Sequence, residues 1–200
     1  MIRIGRYLPE TRAEGPGKRF AIWVQGCELH CPGCFATELQ PRTGGVLVPV
    51  SGLIERIEAV KTGICGVTFL GGEPFLQASA LTRIANAAHG MGLSVLCFTG
   101  YTMEWLLKNG DADQKALLGA VDLLIDGPYR EELRSFRRPL VGSENQRFRY
   151  LTERITPEEI QAYRNSIECR IGPDGVLQLN GMGDFTMLAE RLRSAAKEVL

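Results

Sequence analysis

The sequence predicts an α/β fold in which parallel strands alternate with helices. Three observations predict it: four short apolar runs have the length of buried strands, segments with helical periodicity separate them, and a glycine closely follows each run. The strands are expected at residues 20–24, 66–70, 93–98 and 121–125. Because strands joined through helices run parallel with right-handed crossovers, we expect a parallel sheet at the centre.

The helices between these strands follow from apolar residues at helical spacing. Ser51 is the expected N-cap of the first helix, and the second is expected to end near Gly90. A third helical stretch spans residues 102–120, with a break around Gly110. The apolar residues that define the first two helices are Leu53, Ile54, Ile57, Val60, Leu81, Ile84, Ala85 and Ala88.

The pattern changes after residue 128. Residues 129–147 are polar and rich in arginine, which predicts a long ordered loop, and residues 148–151 predict one further strand. Thr156 and Pro157 begin a capping box, which predicts a short helix.

The last part of the chain predicts a hairpin followed by a helix. Residues 167–171 and 176–179 flank the turn sequence at 172–175, which is typical of a β-hairpin. The terminal helix is indicated by Phe185, Leu188, Leu192, Ala195 and Val199. We therefore expect a core at 1–151 and a C-terminal annex at 152–200 packed on it.

Composition and charge exclude several classes of protein. Of the 200 residues 44% are hydrophobic, which is enough apolar surface to exclude a disordered chain. Lys plus Arg and Asp plus Glu both total 23, so no global positive field favours nucleic acid or an anionic membrane as a partner. No apolar run approaches the roughly 18 residues that span a bilayer. The N-terminal stretch carries no export signal, which predicts a cytoplasmic, reducing location.

Three of the six cysteines lie close together directly after the first predicted strand. Cys27, Cys31 and Cys34 fall within eight residues, on a loop that also contains Gly26 and Pro32. Three thiolates on one tight loop suit a 4Fe-4S cluster with one iron left open for another ligand. There are two alternatives. One is a zinc site with His30 as its fourth ligand, and the other is that the three cysteines have a purely structural role. The other cysteines, Cys65, Cys97 and Cys169, are isolated; we expect the first two to be small core residues.

The C-x₃-C-x₂-C spacing resembles that of the radical S-adenosylmethionine superfamily. In that family the open iron is chelated by the amino and carboxylate groups of S-adenosylmethionine. Gly71, Gly72, Glu73 and Pro74 follow the second predicted strand and resemble the family's glycine-rich motif, which contacts the methionyl amino group. On its own this motif is also typical of a simple turn between a strand and a helix.

A third stretch is similar to the activating proteins of glycyl-radical enzymes, and most of all to the small activators of anaerobic ribonucleotide reductase. It runs from Glu14, where the family commonly has Asp, through the Gly-Pro-Gly at 15–17 to Phe20. Segments at 98–101, 126–128 and 142–147 resemble later parts of the same family. The resemblance therefore covers residues 1–151.

The resemblance implies an incomplete parallel β/α barrel of the radical S-adenosylmethionine type. It implies that the cysteines ligate the cluster, and that S-adenosylmethionine contacts Gly33, Phe35, Gly71, Gly72, Glu73 and Thr99. No catalytic acid or base is expected, because abstraction of a hydrogen atom needs none.

Three functions follow as expectations. The first is an activating enzyme with a glycyl-radical protein as partner and an electron donor such as flavodoxin or ferredoxin. The second is a biosynthetic or maturation enzyme acting on a small molecule or peptide. The third is a non-enzymatic iron–sulfur or zinc module, which would need the cysteines but not the motif at 71–74. The arginines between 134 and 149 are interpreted as a solvated loop, with a docking surface as the alternative.

Overall fold

A computed structural model describes residues 1–185, 187–188, 190–191 and 194. The described residues form nine strands and five α-helices. The strands are β1 Ile2–Thr11, β2 Arg19–Val24, β3 Val46–Val48, β4 Gly66–Gly71, β5 Ser94–Thr99, β6 Leu123–Asp126, β7 Arg147–Tyr150, β8 Ile167–Ile171 and β9 Leu177–Gly181. The helices are α1 Val50–Val60, α2 Ala78–Gly90, α3 Met103–Asn109, α4 Ala112–Gly119 and α5 Pro157–Ala162.

Seven strands form one sheet in the order β3-β1-β2-β4-β5-β6-β7. The four central strands β2, β4, β5 and β6 are parallel, which confirms the predicted α/β organisation. The outer strands β1, β3 and β7 are antiparallel to their neighbours, so the parallel part of the sheet is confined to its four central strands. Strand β1 is antiparallel to β2 because the connection between them is short, whereas a parallel crossover needs a dozen residues or more.

The two faces of the sheet pack against different parts of the chain. Phe20, Ile22 and Val24 alternate with Ala21 and Trp23 along β2, so the two sets point to opposite faces. The first set joins the large core that α1, α2 and α4 cover. The second set joins a small cluster with the loop residue Leu39. Helices α1, α2 and α4 therefore cover one face, whereas loop residues cover the other face around Trp23.

The helix starts confirm one predicted cap and correct another. Thr156 caps α5, with Pro157 in its first turn and a full capping box to Glu159. Helix α1 begins two residues earlier than the predicted cap implies: Pro49 is the N-cap, and Ser51 lies within the helix. Burial of the Val50 side chain, which is 3% exposed, explains why the first turn includes it.

The predicted hairpin is present as β8 and β9, which pair antiparallel. Its side chains hold it against β1: Glu168 accepts hydrogen bonds from the Thr11 hydroxyl at 2.8 Å and the Arg12 backbone N–H at 2.7 Å. Asn180 donates from Nδ2 to Thr11 Oγ1 at 3.0 Å and to Glu14 Oε1 at 3.1 Å. These contacts fix where the hairpin lies relative to the sheet.

The predicted terminal helix lies partly outside the described residues. Phe185 and Leu188 have helical backbone, as do the other described residues between them and Ser194. Leu192, Ala195 and Val199 lie outside the described part of the chain. No helix in the described part has the length and apolar character that a bilayer crossing requires.

Candidate functional site

The loops that follow the four parallel strands meet in one cavity of about 140 Å³. This is expected from topology, because the carboxyl ends of parallel strands share one edge of a sheet. Cys27, Cys31 and Cys34 follow β2, and they line the cavity together with residues that follow β4, β5 and β6. Those residues include Gly71, Gly72, Glu73, Thr99, Gly100, Gly127, Tyr129 and Gln146.

Backbone hydrogen bonds hold the cysteine loop in place. The N–H of Gly26 donates to the carbonyl of Leu39 at 2.8 Å, and that of Cys27 donates to the carbonyl of Gln40 at 2.9 Å. Gly26 has a φ of +99°, a conformation that a side chain would strain. The loop within the motif closes with a bond from the N–H of Cys34 to the carbonyl of Cys31 at 3.2 Å.

The glycine-rich loop is bonded directly to the start of the cysteine loop. The N–H of Gly72 donates to the carbonyl of Val24 at 2.9 Å, and the N–H of Glu73 donates to the carbonyl of Gly26 at 2.8 Å. A Cβ on Gly71 would lie 2.8 Å from the Cα of Trp23, and one on Gly72 would overlap the Gly26 carbonyl oxygen. Glycine is therefore required here by the close approach of two backbones.

The carboxylate of Glu73 is buried and joins two of the loops that line the cavity. It accepts hydrogen bonds from the Phe75 N–H at 2.9 Å, from the Thr99 hydroxyl at 2.8 Å and from the Gly100 N–H at 2.9 Å. Burial raises the pKa of Glu73 to about 7, and the three hydrogen bonds oppose that rise. Glu73 thus positions the loop after β5 against its own loop, at the wall of the cysteine cavity.

The six cysteines differ in their surroundings. Cys27, Cys31 and Cys34 are partly buried, and burial raises the pKa of the Cys27 and Cys31 thiols above its ordinary value. Cys97 is fully buried, as expected of a core residue. Cys65 is exposed, so the expectation that it fills the core is wrong. It lies before β4, at the end of a connection and outside the apolar run.

The cavity contains some of the predicted cofactor contacts and lacks two of them. Gly71, Gly72, Glu73 and Thr99 line it with the cysteines. Gly33 and Phe35 are not among its lining residues. A Cβ on Gly33, whose φ is +70°, would lie 2.7 Å from the Glu131 carboxyl carbon. Both residues are exposed.

The Phe35 side chain lies against the C-terminal part of the chain. Its ring centroid is 6.0 Å from that of Phe185, and the Arg134 guanidinium lies 5.2 Å from its ring. Arg134 also stacks on Phe136 at 5.2 Å and pairs with Asp184 at 3.7 Å. Arg134 is exposed, as expected of a solvated loop, and it also links three chain segments.

Two residues that line the cavity were not predicted from the sequence. Tyr129 and Gln146 come from the long connection between β6 and β7, which has no periodicity to show which side chains point inward. The signal that could have found them was their position, because Tyr129 directly follows the segment at 126–128 and Gln146 lies within the segment at 142–147. Gly127, with a φ of +110°, marks the turn that brings the first segment to the cavity.

The donor chemistry fits an iron–sulfur cluster. Thiolates are soft ligands that favour iron–sulfur clusters and zinc. His30, the alternative fourth zinc ligand, is exposed and lies with Nδ1 3.3 Å from the Gln40 side-chain oxygen. In the part of the chain that the structure describes, no three His, Cys, Asp or Glu side chains converge on one metal-ion position. The fit therefore rests on three thiols that share one cavity.

Comparison with known families agrees with this geometry. Residues 13–149 match the family described as a 4Fe-4S single cluster domain, which is more than half of the chain. The chain belongs to this family. The matched residues of this 4Fe-4S single cluster protein include all three cysteines of the loop and the glycine-rich motif, whereas the hairpin β8–β9 lies beyond the match.

Two relatives of this chain share one name. An anaerobic ribonucleoside-triphosphate reductase-activating protein of Enterobacteria phage T4 is 30% identical over 71% of this chain and 90% of its own length. A protein of the same name from Haemophilus influenzae is 28% identical over 70% of this chain and 93% of its own length. These relatives confirm the resemblance to activating proteins.

A third relative is matched over a shorter length. It is a Haemophilus influenzae protein named as a glycyl-radical enzyme activating enzyme, and it is 34% identical over 95 residues. The match covers 46% of this chain and 36% of that protein. The chain therefore spans about a third of this larger relative.

Replacement of Gly72 by alanine is expected to lower the iron content of the reconstituted protein. The new Cβ would overlap the Gly26 carbonyl, which is backbone, so the cysteine loop or the glycine-rich loop must move. Gly90→Ala is the matched control, since a Cβ there meets nothing within 4 Å. Iron per folded chain measures the effect. Full iron content in Gly72→Ala would contradict the coupling of the two loops.

Proposed function

We propose that this protein is a radical S-adenosylmethionine enzyme that activates a glycyl-radical partner such as anaerobic ribonucleotide reductase. The observation that carries the proposal is the shared cavity of Cys27, Cys31, Cys34 and the glycine-rich motif, at the carboxyl ends of the parallel strands. The names of the relatives support the choice of partner.

Each group of residues has a distinct role in this proposal. Cys27, Cys31 and Cys34 would each hold one iron of a 4Fe-4S cluster, and the open iron would be the site for S-adenosylmethionine. When reduced by an electron donor, such a cluster would supply the one electron that cleaves the S-adenosylmethionine sulfonium, and the cofactor would supply the radical that takes a hydrogen atom from the partner's glycine. Gly71 and Gly72 bring backbone carbonyls to the amino group, and the Glu73 carboxylate accepts a hydrogen bond from it. Glu73 and Thr99 also hold the adjoining loops together.

The remaining parts of the proposal concern the fold and the cellular setting. An open sheet with four parallel strands at its centre is compatible with an incomplete parallel β/α barrel. We propose the core at 1–151 and the annex at 152–200 as its two parts. A cytoplasmic location and an electron donor such as flavodoxin or ferredoxin complete the proposal, because the cluster needs one electron per turnover.

The test starts from protein reconstituted with iron and sulfide without oxygen. We expect about four irons and four sulfides per chain, the stoichiometry of one cubane cluster. With a chemical reductant, S-adenosylmethionine should be converted to methionine and 5′-deoxyadenosine. Stoichiometric zinc without iron would overturn the proposal.

The partner is tested separately. Anaerobic ribonucleoside-triphosphate reductase of Escherichia coli is added, because a relative of this chain from that organism is named as its activating protein. An organic-radical signal in the reductase, with one 5′-deoxyadenosine per radical, is expected. Cleavage of the cofactor without any radical in the reductase would retain the enzyme class and overturn the choice of partner.

A further inference from the structure

A second, larger cavity of about 510 Å³ opens beside the cysteine cavity. The two are continuous, because Cys34, Gly71, Phe98, Tyr129 and Gln146 line both. We call the larger one the annex cleft. A molecule in the annex cleft therefore lies next to the cluster ligands and the glycine-rich loop.

One wall of the annex cleft comes from beyond the family match. Leu179, Asn180 and Gly181 of β9 line it, and so do Met182, Gly183 and Phe185. The match ends at residue 149. This wall, at residues 179–185, therefore lies outside the part of the chain that matches the family.

The wall is held to the cysteine loop and to β1 by defined contacts. Arg134 lies between the rings of Phe35 and Phe136 and pairs with Asp184 at 3.7 Å. On the other side, Arg6 donates from Nη1 to the carbonyl of Leu179 at 3.2 Å. A wall fixed at both sides can select a ligand by shape, because it does not collapse when the cleft is empty.

The chemistry of the annex cleft favours an apolar occupant. Eight large apolar side chains line it, those of Trp23, Phe35, Leu70, Phe98, Phe136, Leu179, Met182 and Phe185. Its buried charged group Glu14 is already bonded to Asn180 at 3.1 Å. Among the described residues, no buried side-chain polar atom that lines the cleft lacks a hydrogen-bond partner. A small polar metabolite would therefore have few unpaired buried polar groups to bind here.

We propose that the wall at 179–185 selects the partner protein, by receiving an apolar side chain that lies next to the partner's reactive glycine. The inference rests on the proposed function, since the occupant is a peptide segment whose glycine must reach the cysteine cavity. The continuity of the two cavities and the apolar lining of the annex cleft favour such a segment. Selection by this wall would place the partner specificity of this protein in the C-terminal annex.

The test measures peptide binding to the reconstituted holoprotein by fluorescence anisotropy. The probes are two fluorescein-labelled peptides with a central glycine, KSAVGLASK with apolar neighbours and KSASGSASK with polar ones. The apolar peptide is expected to bind about tenfold more tightly, because the cleft buries its valine and leucine side chains. Equal affinity for the two peptides would overturn the proposal.

Two leucines of β9 provide a matched pair of variants. Leu179 lines the annex cleft, whereas Leu177 on the same strand is 43% exposed and does not line it. Leu179→Ala should raise the Kd of the apolar peptide about fivefold, and Leu177→Ala should change it less than about twofold. Met182→Ala is the second wall variant if Leu179→Ala fails to fold. Equal effects of wall variant and control would overturn the proposal.

Two other outcomes are distinguishable. If a second copy of this chain fills the cleft, light scattering will show a dimer that Leu179→Ala dissociates, and neither peptide will bind; that result overturns the proposal. If wild-type holoprotein with reductant makes no 5′-deoxyadenosine, the proposed function fails, whatever the peptides do.

Discussion

Cys31→Ala is expected to lose most of the cluster iron and all cleavage of S-adenosylmethionine, whereas Cys169→Ala keeps both. Cys31 lines the cavity with Cys27 and Cys34, so its removal leaves a second iron of the cluster without a protein ligand. Cys169 lies exposed on β8, in the hairpin, and does not line the cavity. Iron and sulfide per chain and the cluster absorbance measure the result.

The fold of each variant must be checked, because a misfolded protein also loses iron. Cys31 is only partly buried, so its replacement removes little packed volume. Far-ultraviolet circular dichroism and the thermal midpoint of the metal-free proteins should match wild type. Cys97→Ala is a second control, in which a fully buried sulfur outside the cavity is removed. Equal iron loss in folded Cys31→Ala and Cys169→Ala would exclude Cys31 as a ligand.

The central strands were predictable because they are buried on both faces. All six residues of β2 are buried, and five of them, residues 20–24, form a continuous apolar run that the hydrophobic pattern reveals. Strand β1 was not predicted, since its residues are mostly half-buried and include charged side chains such as Arg3 and Arg6. Strand β3 has three residues and is largely exposed, which leaves almost no apolar signal. The missed strands are therefore those at one side of the sheet.

The cavity was predictable where strand ends define it. The cysteine loop and the glycine-rich motif each follow a parallel strand directly, so topology alone brings them to one edge. Gly33 and Phe35 were predicted as cofactor contacts from the resemblance to activating proteins, and neither lines this cavity. A resemblance in sequence does not show the side of a loop to which a residue points. The Phe35 ring instead meets Phe185, a contact between residues 150 positions apart that no local pattern contains.

Glu73→Gln is expected to weaken S-adenosylmethionine binding about tenfold at pH 8 and much less at pH 6, without loss of iron. Three donors of this chain bind the Glu73 carboxylate, and a carboxylate accepts about four hydrogen bonds, so one position remains for the methionyl amino group. A hydrogen bond to a charged acceptor contributes roughly 1.5–3 kcal/mol, which is about tenfold or more in affinity. Calorimetric titration of the oxidised holoprotein measures it.

The pH dependence follows from the raised pKa of Glu73, which is about 7. The carboxyl is neutral below that pH and charged above it, so wild-type affinity should rise between pH 6 and 8, whereas Glu73→Gln should show no such rise. Protein stability should change in the opposite direction. Because the pKa is higher in the folded than in the unfolded chain, this group's contribution to stability falls as pH rises from about 4.5 to about 7.

The opposite trends separate two roles for Glu73. If the carboxylate only holds the loops after β4 and β5 together, Glu73→Gln will change stability, and the pH dependence of its affinity for S-adenosylmethionine will match that of wild type. Glu73→Ala is less informative, because it leaves three donors without an acceptor. Each costs about 1–3 kcal/mol of folding free energy, so this variant would be strongly destabilised. Thr99→Val is the matched control: it removes the hydrogen bond to Glu73 and the one that the Tyr101 N–H donates to Thr99 Oγ1 at 3.1 Å. The Glu73 charge remains, so the affinity of this variant should still rise with pH.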